Sequence, residues 1–314
     1  MRLVVALGGN ALLKRGEAMT AAAQRANIVI AARSLAELVA AGHQITLTHG
    51  NGPQVGLIAL QAAAGPKDGN YPLDILGAES EGMVGYLIEQ ELRNALPLGA
   101  QFATLLTQVR VDPSDPAFLH PTKPIGPVYD EASAKRLEQE KGWVCAKDGA
   151  AWRRVVASPE PLEILELGAI RLLVEAGMLV ICAGGGGVPV APRPSGGYAG
   201  VEAVIDKDRA TALLAVALKA DMLLLLTDVD GVYQNFAAPL AARIRQAGTA
   251  SLSKDAFAAG SMGPKVSAAI AFAEASGHPA AIGRLEDALA LVAGSAGTTI
   301  TKGAEPLVLA PSGS

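Results

Sequence analysis

The sequence predicts an α/β fold with a mainly parallel central sheet and helices on both of its faces. With 314 residues the chain is long enough for one large α/β domain or two smaller ones. Half of the residues are hydrophobic, so the chain can bury a sizeable core. Apolar runs of strand length alternate with longer segments of helical periodicity, which is typical of such a sheet. Ligands of these folds bind at the carboxyl ends of the strands.

The strand predictions rest on short apolar runs, at residues 3–7, 44–48, 102–109, 178–183, 222–227, 280–283 and 298–301. The most apolar run, 222–226, is far shorter than the ~20 apolar residues that cross a bilayer. We therefore predict a buried parallel strand there. Helical periodicity predicts helices at residues 20–41, 53–64, 74–96, 161–176, 206–220, 265–276 and 285–293.

Composition argues against several classes of protein. Charged residues make up 18% of the chain and the net charge is −4, so the basic footprint of a nucleic-acid-binding protein is missing. The two cysteines, Cys145 and Cys182, and the four scattered histidines form no disulfide framework and no HExxH or C-x-x-C motif. We therefore predict no metal site made of protein ligands. The first residues lead directly into a strand and leave no room for a signal peptide, so we expect a cytoplasmic protein.

Residues 112–157 interrupt the alternation of strands and helices. This segment holds many prolines, a dense charge cluster and both tryptophans, Trp143 and Trp152. It is either a long surface excursion or an insertion that folds over the site as a lid. Long loops in compact domains are usually functional or disordered, and the aromatic and apolar content here argues against disorder. We favour a lid.

Three glycine-rich loops each follow a predicted strand. They are Gly8-Gly9-Asn10-Ala11, His49-Gly50-Asn51-Gly52-Pro53 and Gly184-Gly185-Gly186-Gly187. Glycine lets backbone N–H groups approach an anion, and a following helix N-terminus adds positive potential. One such loop is also ordinary structural punctuation. Three of them at strand ends predict a phosphate-rich site.

Two standard phosphate-binding motifs do not fit. No GxxxxGK[ST] loop occurs, which removes the P-loop interpretation. The segment 50–56 misses a GxGxxG fingerprint by one residue, and the acidic residue that should follow would be Asp74, which does not end a strand. A nicotinamide-binding protein is therefore disfavoured.

Isolated lysines point to phosphoryl transfer, which needs positioning and cations more than covalent help. Lys123 lies in a proline-stiffened run of the lid segment, and Lys207 and Lys265 lie at predicted helix starts. A lysine at a helix N-terminus opposes the helix dipole, which is easier to explain if an anion binds there. Each could instead be a solvated surface lysine. Lys207 could pair locally with Asp206 or Asp208, and these aspartates could be simple N-caps.

The loop 227–233 follows the most buried predicted strand. It could hold a nucleotide base or ribose, or it could be an ordinary Asp-Gly turn. Its place beside the phosphate-like site favours the nucleotide.

These residues together resemble the carbamate kinases of the amino acid kinase family, in order and without large gaps from residue 2 to about residue 301. The motifs that carry the resemblance are residues 8–12, 49–56, 121–126, 152–156, 158–159, 204–208 and 260–265. The runs Pro-Thr-Lys-Pro-Ile-Gly at 121–126 and Trp-Arg-Arg-Val-Val at 152–156 are narrow signals. Glycine loops are shared by several amino acid kinases.

The resemblance implies one domain over residues 1–314, a three-layer αβα sandwich from which the lid subdomain 112–157 protrudes, and a homodimer. It implies the reversible conversion of ATP and carbamate to ADP and carbamoyl phosphate with Mg²⁺. Run toward ATP, the reaction releases carbamate, which yields ammonia and CO₂. In arginine breakdown this is the usual direction. Purine or allantoin breakdown is an alternative setting.

The resemblance also implies a role for each matching position. Carbamate and the transferred phosphoryl group would be held by Gly8, Gly9, Asn10, Gly50, Asn51, Gly52, Gly185 and Gly186. The catalytic residues would be Lys123, Lys207, Lys265, Asp206 and Asp208. The nucleotide pocket would be lined by Thr227, Asp228, Val229, Tyr233, Met262, Gly263 and Pro264.

The sequence departs from the family pattern at a few positions. Alanine stands at Ala22, where a glutamate is expected nearby, and Gly231 and the stretch 237–242 are also atypical. Two rival functions stay open. The chain could be an amino acid kinase for a larger carboxylate, which would need an arginine for the second carboxyl group. It could also be a non-catalytic nucleotide sensor, which should lack one of the phosphate lysines.

Overall fold

The computed structural model describes residues 1–14, 16–65, 71–234, 241–252, 257 and 262–310. Two sequence features fall outside these ranges: residues 260–261 of the motif before Lys265, and the atypical stretch 237–240. For Asn10 the structure describes the backbone but not the side chain. Within the described ranges no helix combines the length and the apolar character needed to cross a membrane.

The strands are β1 Arg2–Leu7, β2 Gln44–His49, β3 Phe102–Thr104, β4 Gln108–Arg110, β5 Lys123–Tyr129, β6 Val144–Asp148, β7 Ala151–Val156, β8 Glu163–Ile164, β9 Leu179–Ile181, β10 Val188–Pro192, β11 Tyr198–Gly200, β12 Met222–Thr227, β13 Val232–Gln234, β14 Ala242–Gly248, β15 Ala280–Arg284, β16 Thr298–Thr301 and β17 Val308–Leu309. The α-helices are α1 Gly9–Leu12, α2 Ala21–Ala40, α3 Gly52–Ala63, α4 Leu73–Ala95, α5 Glu131–Lys141, α6 Leu167–Glu175, α7 Lys207–Ala217, α8 Met262–Ser276 and α9 Ala288–Val292.

The main sheet runs in the order β13-β14-β16-β15-β12-β1-β2-β9-β3, with β17 paired to β14. Its centre, from β15 to β3, is parallel throughout. The strands β12, β1, β2 and β9 are therefore neighbours that end at the same edge. This edge gathers the loops that follow them.

Both faces of this sheet are covered by helices, because the strands are apolar on both sides. In β1, Leu3, Val5 and Leu7 point to a core formed with α2, α4 and α9. Val4 and Ala6 point to the opposite core, formed with α6, α7 and α8. Alternation along one strand thus feeds two cores. The predicted α/β fold with a mainly parallel sheet between helices is confirmed.

Two smaller sheets are attached to this sandwich. One has the order β11-β10-β4-β8, and the other has the order β5-β7-β6 with α5 beside it. The second small sheet lies inside the lid segment 112–157. This sheet begins at Lys123, later than the predicted start of the segment at residue 112. Phe118, near that predicted start, packs instead against the core formed with α6, α7 and α8.

Two element predictions are wrong. The run 102–109 forms two strands, because the chain leaves the main sheet after β3 and joins β10 through β4. The predicted helix 161–176 begins only at Leu167, since Glu163–Ile164 pairs with β4 instead. Both errors have one cause. The hydrophobic pattern shows only that a segment is buried, and the strand with which it pairs decides its secondary structure. The sequence predictions miss the strands β5, β6, β7, β8, β10, β11, β13, β14 and β17 and the helices α1 and α5.

Candidate active site

The three glycine loops meet at the carboxyl edge of the main sheet. They follow β1, β2 and β9, and they approach one another so closely that little room is left for side chains. A Cβ on Gly50 would lie 3.1 Å from the amide nitrogen of Gly9. A Cβ on Gly185, whose φ is +66°, would lie 2.1 Å from Nδ2 of Asn51. A side chain at position 50 would therefore require its neighbours to shift by a few tenths of an ångström, whereas glycine is required at position 185 by space and by backbone conformation.

Some of the loop N–H groups are already used inside the protein. Gly8 N donates to Leu226 O at 3.0 Å, Gly50 N donates to Leu7 O at 3.0 Å, and Gly186 N donates to Ala183 O at 3.1 Å. These three glycines can therefore shape a ligand site without donating to a ligand. Gly52 differs, because it is the first residue of α3, where helical N–H groups have no partner within the helix. Pro53 lies in the first turn of this helix, as predicted.

Helix α4 holds the side chain of Asn51 in place. Asn51 is buried and precedes α3, but its side chain does not cap that helix. Instead Asn51 Nδ2 donates to Ser80 Oγ at 2.8 Å, and Ser80 Oγ donates to Gly77 O at 2.7 Å. The carboxamide of Asn51 is thus fixed beside the loop after β9.

The next residue of α4, Glu81, supports that loop directly. Its side chain is 2% exposed, and its carboxyl oxygens accept from Gly184 N at 2.8 Å and Thr107 N at 3.2 Å. Burial outweighs these hydrogen bonds and raises the pKa of Glu81 to about 8. Glu81 therefore acts as a largely neutral support for the backbone at neutral pH.

His49 lies beside Glu81 beneath the same loops. A Cβ on Gly184 would lie 2.4 Å from the imidazole of His49 and 2.8 Å from Cγ of Glu81. Burial lowers the pKa of His49 to about 4, so the ring is neutral. Its Nδ1 lies 3.0 Å from Gly50 O, a contact that a neutral ring makes as a donor. His49 and Glu81 both hold loop backbone.

Lysines and aspartates form a chain of ion pairs at the start of α7. Asp206 caps this helix, with Oδ1 accepting from Asp208 N at 3.0 Å and Arg209 N at 3.2 Å. Its Oδ2 pairs with Lys123 Nζ, which reaches in from the lid segment. Asp206 is therefore both the N-cap of α7 and the ion-pair partner of Lys123, while the local partner of Lys207 is Asp208.

Asp208 is the centre of the second part of this chain. Its carboxyl oxygens lie 2.9 Å from Lys207 Nζ and 3.0 Å from Lys265 Nζ. Burial opposes ionisation of Asp208, but the two lysines outweigh it and hold the pKa of this carboxyl well below its usual range. Burial also opposes the charge on Lys265, but Asp208 outweighs it and raises the pKa of Lys265.

Lys207 is the most enclosed of the three lysines. Its side chain is 9% exposed, and burial lowers its pKa despite Asp208. Lys207 Nζ lies 2.9 Å from Asp208 Oδ1, and this ion pair occupies only part of the three donors of the ammonium group. An ammonium group that is buried in this way has donors available for an anion. Lys207 and Lys265 both lie at helix starts, as predicted.

The residues predicted for the nucleotide pocket are less closely grouped. Thr227 ends β12 at the shared edge, and its hydroxyl donates to Asp228 Oδ1 at 3.1 Å. Met262, Gly263 and Pro264 form the start of α8, directly before Lys265. Val229 lies in the loop after β12.

Tyr233 lies on β13, at the far end of the sheet path, with its hydroxyl 3.0 Å from Asp230 Oδ1. Its contact with a nucleotide stays a prediction.

Sequence reasoning missed the residues behind the loops: Ser80, Glu81 and Thr107. A signal was present, since Ser80 and Glu81 occupy buried positions of α4 between Leu76 and Val84. Polar side chains in the apolar phase of an amphipathic helix need buried partners. The sequence alone does not show which loop supplies those partners.

Comparisons with known proteins agree with this geometry. The model of the amino acid kinase family matches residues 1–284, and the chain therefore belongs to that family. It is 54% identical to a carbamate kinase of Rhizobium meliloti, covering 96% of this chain and 93% of that protein. It is 52% identical to a carbamate kinase of Haemophilus influenzae, covering 97% and 98%. The structure of a carbamate kinase from Giardia lamblia bound to AMP-PNP superposes with a TM-score of 0.87, at 43% identity over 96% of this chain and 98% of that one.

Proposed function

We propose that this protein catalyses reversible phosphoryl transfer between ATP and carbamate. One observation carries the proposal: three lysines that are far apart in sequence converge on the N-terminus of α7, at the edge where the glycine loops meet. The similarity to carbamate kinases over nearly the whole chain supports carbamate as the acceptor.

The glycine loops would hold carbamate and the transferred phosphoryl group. Carbamate is small, flat and anionic, so it offers few contacts beyond its oxygen and nitrogen atoms. Backbone N–H groups fit such a ligand, and Gly52 at the start of α3 supplies one. Gly9, Asn10, Asn51 and Gly185 would complete the site. Gly8, Gly50 and Gly186 would let the ligand approach the backbone closely. They would not donate to it, because their own N–H groups are used internally.

The transfer itself requires no general base. In the direction of ATP synthesis, an ionised oxygen of the ADP β-phosphate attacks phosphorus, and the P–O bond to carbamate breaks. Carbamate leaves with the electron pair and the negative charge. Lys123, Lys207 and Lys265 would neutralise charge on the transferring oxygens, which is the main catalytic contribution in phosphoryl transfer. Asp206 and Asp208 would orient the lysines through the observed ion pairs.

The nucleotide and its magnesium ion would enter from the side of β12 and α8. Thr227, Asp228, Val229, Tyr233, Met262, Gly263 and Pro264 would line the pocket. Among the described residues no three His, Cys, Asp or Glu side chains are grouped as metal ligands, and Asp206 and Asp208 are paired with lysines. Mg²⁺ bound with the nucleotide would have phosphate and water oxygens as its main ligands and would supply positive charge that neutralises the phosphates.

The segment 112–157 would act as a lid that excludes water, which otherwise hydrolyses carbamoyl phosphate. The resemblance to carbamate kinases further supports a cytoplasmic homodimer that works toward ATP in arginine breakdown. Light scattering of the purified protein tests the dimer, and metabolite levels in a deletion strain test the pathway.

The decisive experiment is luminescent detection of ATP from ADP, Mg²⁺ and carbamoyl phosphate. We expect ATP to form with the wild-type protein and to depend on carbamoyl phosphate. Omission of that substrate and heat-inactivated protein are the controls. ATP formation from an acyl phosphate alone would indicate a different amino acid kinase. Nucleotide binding without any turnover would indicate the sensor function.

A further inference from the structure

Helix α3 and the lid strand β5 touch through two glycines. A Cβ on Gly56 would lie 1.9 Å from the Cα of Gly126 and 2.4 Å from its amide nitrogen. Side chains never approach backbone so closely, so any other residue at position 56 must displace β5. Gly126 also has a φ of +73°, which L residues with side chains rarely adopt.

The contact is part of a buried seam. Val55 of α3 packs in one apolar cluster with Ile125 of β5 and Val156 of β7, and each is at most 6% exposed. Because the small sheet has the order β5-β7-β6, β5 is its edge strand, and α3 packs against this strand. The lid segment is therefore seated on α3, with backbone against backbone at the two glycines.

This seam joins two parts of the proposed site. Gly56 lies on the helix that begins directly after Asn51, and Gly126 lies three residues after Lys123 on the same strand. Lys123 extends from this strand to Asp206 at the start of α7. A shift of β5 away from α3 would move Lys123 relative to Asn51 and Asp206.

We propose that the contact between Gly56 and Gly126 positions Lys123 for phosphoryl transfer. Gly56 and Gly126 are then positioning residues, since they act through Lys123 and touch no reacting atom. The inference rests on the proposed function of Lys123, but the seating of the strand can be measured without turnover.

The first test is Gly56→Ala. The added methyl group forces β5 to move by more than about 1 Å to reach van der Waals distance, and a misplacement of this size lowers turnover by about 10- to 100-fold. The Michaelis constant for ADP should change little, because the nucleotide residues lie on other elements. Alanine is a better helix former than glycine, so α3 itself is not weakened.

Matched controls separate the contact from the substitution. Gly82→Ala places the same methyl group on a helix, at an exposed position of α4 with no atom within 4 Å, and should keep wild-type turnover. If Gly56→Ala does not fold, Gly126→Ala is a milder test of the same contact, because its Cβ would lie 3.3 Å from the Cα of Gly56. Its control is Gly142→Ala in the same segment, where φ is +66° and no atom lies within 4 Å.

A double-mutant cycle shows whether the effect passes through Lys123. With Lys123→Ala as background, we expect Gly56→Ala to lower the residual turnover by less than about twofold, because the group it misplaces is gone. An equal fold loss in both backgrounds would mean a general structural effect and would overturn the proposal.

Amide hydrogen exchange provides the readout that does not need activity. We expect faster exchange in peptides covering β5 in Gly56→Ala than in wild type and Gly82→Ala, because the packing of β5 against α3 is disturbed. Unchanged exchange in β5, or wild-type turnover of Gly56→Ala, would overturn the inference. A wild-type protein that forms no ATP would refute the proposed function alone, and the exchange result would still decide how the strand is seated.

Discussion

The glycine loops and the lid segment contribute to the same proposed site by opposite means. The loops are fixed to the main sheet and to α4, through buried groups such as Ser80 and Glu81. The lid segment contributes Lys123, whose side chain is 30% exposed, through one ion pair and a glycine contact. A small anion that is bound by backbone groups needs rigid loops, whereas a long lysine side chain can extend into the site from another subdomain.

The difference also concerns charge. Lys265 and Asp208 are enclosed, so their pairing is insulated from water and salt. The pair of Lys123 with Asp206 is closer to solvent. Exposed pairs contribute little to stability, and a buried charge that loses its partner is costly. The first two predictions below test this contrast between an enclosed and an accessible half of the site, and the last two test how the buried groups behind the loops hold them.

The largest effect is expected for Lys265→Ala. Turnover should fall by about 10³-fold, because a cation over the transferring oxygens is lost. The free energy of unfolding should also fall by about 3 kcal/mol, since Asp208 stays buried with one partner fewer. Luminescent ATP detection and urea unfolding measure the two quantities. Wild-type turnover would remove Lys265 from the mechanism.

Lys123→Ala should lower turnover by about 10²-fold but leave the unfolding free energy within about 1 kcal/mol of wild type. Asp206 keeps its hydrogen bonds to the N-terminus of α7, so the helix cap survives. The same two assays apply. If this variant is destabilised as strongly as Lys265→Ala, the contrast between the enclosed and the accessible half is wrong.

Glu81→Gln should change how stability depends on pH. The pKa of Glu81 is about 8 in the folded protein and near 4.5 when unfolded, so the folded state holds this proton more tightly than the unfolded state. The resulting contribution to the unfolding free energy is complete below about pH 4.5. That stability is lost as pH rises through 8. Wild type should therefore lose on the order of 3 kcal/mol relative to Glu81→Gln between pH 5 and 9. Urea unfolding at several pH values measures the slope, and parallel curves would contradict a buried neutral Glu81.

His49→Asn should show the smallest effect, at the acid end. The pKa of His49 is about 4 in the folded protein and near 6.5 when unfolded, so wild type loses stability as pH falls from 6.5 toward 4. Asparagine has no such titration and can donate in place of Nδ1. The gap in unfolding free energy between the two proteins should narrow by on the order of 2 kcal/mol over that interval. A constant gap would show that His49 is solvated.

Much of the local structure could be predicted from the sequence. The strand at 222–227 matches β12, because a continuous apolar run with buried neighbours has one stable form in a parallel sheet. The cap at Asp206, the helix start at Lys207 and the place of Pro53 in the first turn of α3 follow from neighbouring residues alone. The family prediction is confirmed by relatives, since it rests on motifs written in consecutive residues.

Only the tertiary structure decided which distant groups meet. Lys123 pairs with Asp206, Glu81 supports Gly184, and Gly56 touches Gly126, and no local pattern specifies these partners. The same limit explains the misassigned segment 102–109, whose apolar residues serve two different sheets. Hydrophobic periodicity and turn-forming residues are local features, so they can be recognised in the sequence. Contacts between distant segments depend on the packing of both cores together, so they are determined only in the folded chain.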